Sequence, residues 1–221
     1  MSDQSSSAAA RSLILGRIGD ILGRRTVGAA EAHAAIPRDY TSAASLDREA
    51  CLELLTDRLR HYQVDVHRCD AATLPRTIAA VVTGRGKGRM LVPADLDPAW
   101  LPSGMAFVRD DRLTFSDLDQ SEGVLTGCSF AVASTGTIVL RHAAGEGRRA
   151  LTLIPDYHVC VVFADQVVQT VPEAIRSLAA AGPRLVTTIS GPSATADIEM
   201  TRVRGVHGPR TLDVILVSRA S

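Results

Sequence analysis

Short apolar stretches that alternate with amphipathic helical stretches constrain this chain more than any other feature. LDREACLELLTDRLRHY (46–62) places Leu46, Ala50, Leu54, Leu55 and Leu59 on one helical face. QVDVHRC (63–69) then switches to period-two alternation, which predicts a strand. TLPRTIAAVV (73–82) predicts a second helix, TGRGKG (83–88) a turn and RMLVP (89–93) a short buried strand. Strand, helix and strand joined by short connections form a βαβ unit, so the body should be an α/β domain.

The remaining segments extend this pattern. MAFVRD (105–110) reads as a strand, and VLTGCSFAVASTGTIVLRH (124–142) as two apolar strands around a Ser134-Thr135-Gly136 turn. GEGRR (145–149) reads as a loop, and VCVVFA (159–164) is a buried strand by its β-branched content. DQVVQTVPEAIRSLAAAG (165–182) carries a helix with Pro172 in its first turn and Gly182 at its stop. RLVTTIS (184–190) is a strand, a loop and short helix follow, and LDVILV (212–217) is the last strand. At the N-terminus, residues 1–7 should be disordered, and Leu13, Ile14, Ile18, Ile21 and Leu22 predict an amphipathic helix from Ala8 to about Arg24. Residues 25–45 lack periodicity and contain Pro37, so residues 1–45 are expected to form a helix and extended arm, and 46–221 a single α/β domain.

Composition excludes several function classes. Lys+Arg and Asp+Glu are 24 each, so the net charge is zero and a nucleic-acid binder's overall basic excess is missing. Hydrophobic residues make up 46%, enough for a sizeable core. Cys51, Cys69, Cys128 and Cys160 form no CxxC pair, which disfavours a resident iron–sulfur cluster. They are expected to be reduced and mostly buried. The six histidines show no HxH or HExxH spacing, and an Asp156–His158 pair without a third ligand points to a structural hydrogen bond, so no metal is expected. Thr83-Gly84-Arg85-Gly86-Lys87-Gly88 has neither the glycine spacing nor the Ser/Thr of a P-loop. The N-terminus lacks a signal-peptide pattern and no stretch reaches the length of a membrane span, so a cytoplasmic protein is expected.

Two regions offer candidate chemistry. In SGPSATADIEMTRVRGVHGPR (190–210), a tight turn at Gly191 would lead into a short helix capped by Ser193 or Thr195, with Asp197 and Glu199 in its first turn. The free N–H groups of such a helix start form an anion site, unless they serve only their own caps. Further on, His207 would titrate near neutrality as an acid or base, and Arg210 would pair with a carboxylate or phosphate, either a ligand's or that of Asp197 or Glu199. The second region is the Thr135-Gly136-Thr137 turn, where small polar residues let a ligand approach the backbone, or simply form a turn.

GVLTGCSFAVASTGTIVL (123–140), PDYHVCVV (155–162), DQVVQTVPEAI (165–175) and SGPSATADIEMTRVRGVHGPRTLDVILV (190–217) together resemble the lactate utilization protein C family. The resemblance covers most of residues 120–217. It implies a NagB/RpiA/CoA transferase-like fold: a three-layer sandwich with a mostly parallel central sheet, a β-hairpin insertion and an N-terminal helix. It also implies an accessory, non-iron-sulfur subunit of a bacterial system that oxidises L-lactate to pyruvate. The clusters would then reside in two partner proteins. By this transfer, His207 and Arg210 are the catalytic candidates. Thr135, Gly136, Thr137, Gly191, Ser193, Thr195, Asp197 and Glu199 are the ligand-binding candidates. Where many relatives carry an acidic residue before Thr-Gly-Thr, this chain has Ser134. The alternative function is a stand-alone binder or enzyme for a carboxylate, sugar phosphate or CoA ester, and the arm 1–45 would suit a docking role.

Overall fold

The computed structural model describes residues 3–22, 28–41, 43–182, 184–196, 202–204 and 207–218. The chain divides into two compact units, Met1–Tyr40 and Thr41–Ser221. The first contains α1 (Asp3–Leu22) and α2 (Ala29–Ala34). Helix α1 starts within the segment expected to be disordered, and α2 lies in the arm that showed no periodicity. At six residues, α2 is too short to display a pattern in the sequence. The Arg38 guanidinium donates to the backbone carbonyls of His33 and Ile36 at 3.0 Å each, closing the end of α2.

The second unit runs, in chain order, through α3 (Arg48–His61), β1 (Asp65–Asp70), α4 (Leu74–Gly84), β2 (Arg89–Pro93), β3 (Ala106–Asp110), α5 (Phe115–Asp119) and β4 (Val124–Thr126). It continues with β5 (Phe130–Val132), β6 (Thr137–Leu140), β7 (Tyr157–Phe163), β8 (Val167–Val168), α6 (Val171–Ala180), β9 (Thr187–Ile189), β10 (Ala194–Ala196), β11 (Arg202–Arg204) and β12 (Thr211–Ser218). Six of these strands form a sheet of order β1-β12-β7-β4-β2-β3 in which every pairing is parallel. The α/β class with a mostly parallel central sheet therefore holds.

The sheet is covered on both faces, which is why its central strands read as continuous apolar runs. Alternation along β7 and β12 sends Cys160, Val162, Leu212, Val214 and Leu216 to one face. There they meet Cys51, Leu52, Leu55 and Leu59 of α3 and Ala131, Ile138 and Leu140 of a second sheet. Tyr157, Val159, Val161, Ile215 and Val217 point the other way, onto Leu74, Ile78, Val81 and Val82 of α4. The caps suit these helices: the Asp47 carboxylate accepts from the Ala50 N–H at 2.8 Å at the start of α3, and Thr170 and Glu173 form a reciprocal capping box on α6.

The stretch 124–142 departs from its two-strand reading. It forms three strands, because the chain leaves the parallel sheet after Thr126. The Gly127 N–H donates to the Gly145 carbonyl at 2.8 Å instead of continuing the ladder. Strands β5 and β6 then make the expected hairpin, with Gly136 at φ +63° in its turn. This hairpin gains β8 and β9 at its edges, giving a four-stranded sheet of order β8-β5-β6-β9.

The stretch after β9 departs further. No helix starts at the described residues 191–196; Ala194–Ala196 pairs antiparallel with Arg202–Arg204, in the register Thr195↔Val203. The helix reading rested on capping residue types alone, whereas Thr195 and Val203 are β-branched and favour an extended pair. Thr195 therefore stands in a strand and is not a helix cap, while Asp197 and Glu199, the first turn of the expected helix, lie outside the described residues. Among the described residues, no cluster of three potential metal ligands occurs and no helix is long and apolar enough to cross a membrane.

Candidate functional site

A cleft of about 250 Å³ opens beside the N-terminal ends of β7 and β12. One wall is the 3-10 turn Arg149–Thr152 and the start of β7; the other is the segment from Thr187 to Ser193, with His207 to Pro209 beneath. Alternation along β7 turns His158 to the same side as Cys160, toward the second sheet. The His158 side chain is 1% exposed, and its Nε2 lies 2.8 Å from Oγ1 of the buried Thr126. Burial, with the nearby Arg149 charge acting in the same sense, pushes its pKa down to about 4, so the ring is neutral at neutral pH.

Arg149 supplies the charge of the cleft. Its guanidinium donates to the Thr152 carbonyl at 3.4 Å, and among the described residues it has no carboxylate within ion-pair range. Desolvation lowers its pKa, with no acidic neighbour acting in the opposite sense. The adjacent Arg148 differs, being held in a bidentate pair with Asp110 at 2.7 and 3.0 Å.

Hydroxyl groups line the opposite wall. Ser190 shares a 2.9 Å hydrogen bond with Thr137, which shares one of 2.8 Å with Thr135. Ser193 bridges the floor: its N–H donates to the Pro209 carbonyl at 2.8 Å, and its hydroxyl accepts from the His207 N–H at 3.0 Å. Gly191 makes the turn at φ +84°, where an added Cβ would lie 2.6 Å from the Tyr62 Cβ. Only glycine satisfies both constraints.

Behind the hydroxyl wall sits His142, with φ +53°. Its Nδ1 is 2.8 Å from the Gly147 carbonyl oxygen and its Nε2 is 3.0 Å from the hydroxyl of Thr187, a residue that lines the cleft. The loop that carries it is shaped by the buried Glu146, whose carboxylate accepts from the Ser129 hydroxyl and the Arg141 N–H at 2.5 Å each and from the Ala143 N–H at 3.2 Å.

Of the residues singled out in the sequence, Gly191, Ser193 and His207 line the cleft. Thr137 joins it through Ser190, and Thr135 lies one hydroxyl further out. Gly136 packs its backbone onto Arg58 of α3, where a Cβ would approach to 2.8 Å. Arg210 lies outside the cleft and pairs with Asp156 at 3.4 Å, both well exposed. Thr195 belongs to β10, and Asp197 and Glu199 fall outside the described residues. Sequence reasoning missed Arg149, Thr187 and His142, which read as loop and strand residues. For His158 it anticipated a structural hydrogen bond, which Thr126 supplies.

The LUD domain model matches residues 52–217. Lactate utilization protein C of Deinococcus radiodurans is 47% identical over 181 residues, covering 80% of this chain and 84% of that protein. Lactate utilization protein C of Macrococcus caseolyticus is 28% identical, covering 82% of this chain and 83% of that protein. The crystal structure of a DUF162 family protein from Deinococcus radiodurans aligns with a TM-score of 0.69 and 42% identity, covering 78% of this chain and 99% of the other. With the family model spanning most of the second unit, the chain belongs to the LUD domain family, alongside proteins named lactate utilization protein C.

Proposed function

We propose that the cleft binds a small organic carboxylate and that the protein serves lactate utilization as a component without a redox centre of its own. The observation that carries the binding site is Arg149. It is a largely exposed guanidinium at the cleft edge whose pKa partial desolvation lowers, without a carboxylate partner among the described residues, beside a neutral imidazole and a wall of hydroxyls. A bound carboxylate would complete the charge pairing that Arg148 already has in Asp110. The relatives' names point to lactate metabolism, and at about 250 Å³ the cleft suits a small anion better than a CoA ester.

In this reading the reaction served is the oxidation of L-lactate to pyruvate. The electrons pass through two iron–sulfur partner proteins, and this chain is their accessory subunit on a NagB/RpiA/CoA transferase-like scaffold. The absence of any CxxC spacing among the four cysteines supports that division of labour. The direct test is calorimetric titration with L-lactate, pyruvate and inorganic phosphate on wild type and Arg149→Met. Wild type should bind a carboxylate, and Arg149→Met should weaken it at least tenfold with an unchanged melting temperature. Equal binding by both proteins would overturn the site. For the complex, lactate-dependent dye reduction by the iron–sulfur partners should rise when this chain is added, and unchanged activity would remove the subunit role.

A further inference from the structure

We infer that Thr187, held in one hydrogen-bonding sense by His142, selects a hydroxy acid over the corresponding oxo acid in this cleft. The inference rests on the carboxylate-binding reading and adds what the second functional group of the ligand must be.

Donor and acceptor roles follow from the chemistry of the partners. The Gly147 oxygen, 2.8 Å from His142 Nδ1, is a carbonyl and can only accept, so Nδ1 carries the hydrogen. In the neutral ring Nε2 is then a bare lone pair. The Thr187 hydroxyl 3.0 Å away has a single hydrogen and must direct it at Nε2. What remains of Thr187 for the cleft is its lone pairs, an acceptor that has lost the freedom of an ordinary threonine to turn into a donor.

The arrangement is held from several sides. His142 adopts a left-handed backbone at φ +53°, uncommon for a residue with a side chain, and the buried Glu146 ties down the loop around it through three donors. Thr187 sits opposite Leu140 in the β6–β9 pairing, which fixes its Cα relative to the strand that leads into His142. By contrast, Ser190 and Thr137 share a bond that either hydroxyl can donate, so those groups adapt to a ligand oxygen of either kind.

A ligand whose carboxylate meets Arg149 and whose neighbouring carbon reaches Thr187 therefore has to bring a hydrogen. A 2-hydroxy acid does so. A 2-oxo acid sets its carbonyl lone pairs against those of Thr187, leaving both acceptors without a donor, which is the costly outcome for a desolvated polar group.

Calorimetric titration of the full chain with L-lactate, pyruvate and propionate tests this, the last carrying the carboxylate alone. Wild type should bind lactate at least tenfold more tightly than pyruvate, with propionate between them. Thr187→Val keeps the shape and removes the acceptor; lactate should fall to the level of propionate while propionate is unchanged. His142→Asn tolerates the left-handed backbone and can still reach Gly147, but its side chain ends short of Thr187. The freed hydroxyl should then admit pyruvate and collapse the preference, a shift that loss of packing alone would not produce. Equal wild-type affinity for lactate and pyruvate, or a preference for pyruvate, would overturn the role of Thr187 and leave the carboxylate site standing. Binding of none of the three would overturn both. Circular dichroism and melting temperature establish that each variant is folded.

Discussion

His158 shows how a residue can be legible as a type and illegible as a chemical state. In the sequence it is a histidine two residues from an aspartate; in the fold it is buried against Thr126 with its pKa held near 4. A histidine whose folded pKa is depressed binds fewer protons folded than unfolded between its two pKa values. Its contribution is intact above the unfolded value of about 6.5 and is lost as pH falls toward 4. Denaturant titrations across that window should show stability declining by up to roughly 3 kcal/mol, and His158→Gln should flatten the decline. The carboxylates held low by backbone and hydroxyl donors, such as Asp117 and Glu122, act in a separate window below about 4.5. Glycine positions divide in the same way between local and tertiary causes. Gly191→Ala meets both a left-handed backbone and the Tyr62 side chain and should cost about 3 kcal/mol in urea denaturation. Gly86→Ala, at φ +67° with open space around it, should cost only about 1 kcal/mol. Equal costs for the two would mean that the contact with Tyr62 relaxes freely.

At the scale of elements, the sequence was most readable where periodicity and burial agree. The α3 and α4 helices and the β1, β2, β7 and β12 strands follow directly from spacing and β-branched content, because each buries a face whose pattern is set by its own residues. It was least readable at 190–210, where Ser, Thr and acidic residues suit a helix start and an extended hairpin alike. There the pairing of β10 with β11 decided the outcome. The same holds for β4, β5 and β6, a single apolar stretch by composition. The Gly127–Gly145 hydrogen bond divides it between two sheets. One contact ties an element to the sheet in a way that mutation can separate. Asp213 is fully buried on β12 and accepts from Arg85 at the end of α4 and from the Tyr157 hydroxyl at 2.7 Å. Removing the cation strands a buried carboxylate, so Arg85→Met should cost about 3 kcal/mol, more than Asp213→Asn, and the double variant should recover part of the loss. If Asp213→Asn is the costlier change, the carboxylate is stabilised mainly by Tyr157.

For the whole molecule, local pattern determined the class of fold. Alternating helices and apolar strands are properties of neighbouring residues, and they already specify an α/β protein. The cleft is of another kind. Arg149, His158 and Thr187 stand on a 3-10 turn and strands of two different sheets, and His142 reaches Thr187 across 45 positions of sequence. Gly191, Ser193 and His207 could be singled out because a glycine turn and an isolated histidine are conspicuous locally. Arg149 could not be distinguished from Arg148, because only the tertiary structure gives one of them Asp110 and leaves the other facing the cleft. Most of the secondary structure follows from interactions within a few residues, which the sequence by itself determines, the segments 124–142 and 190–210 excepted. The site depends on strand register and on which charges find partners, and those are decided only when distant segments pack.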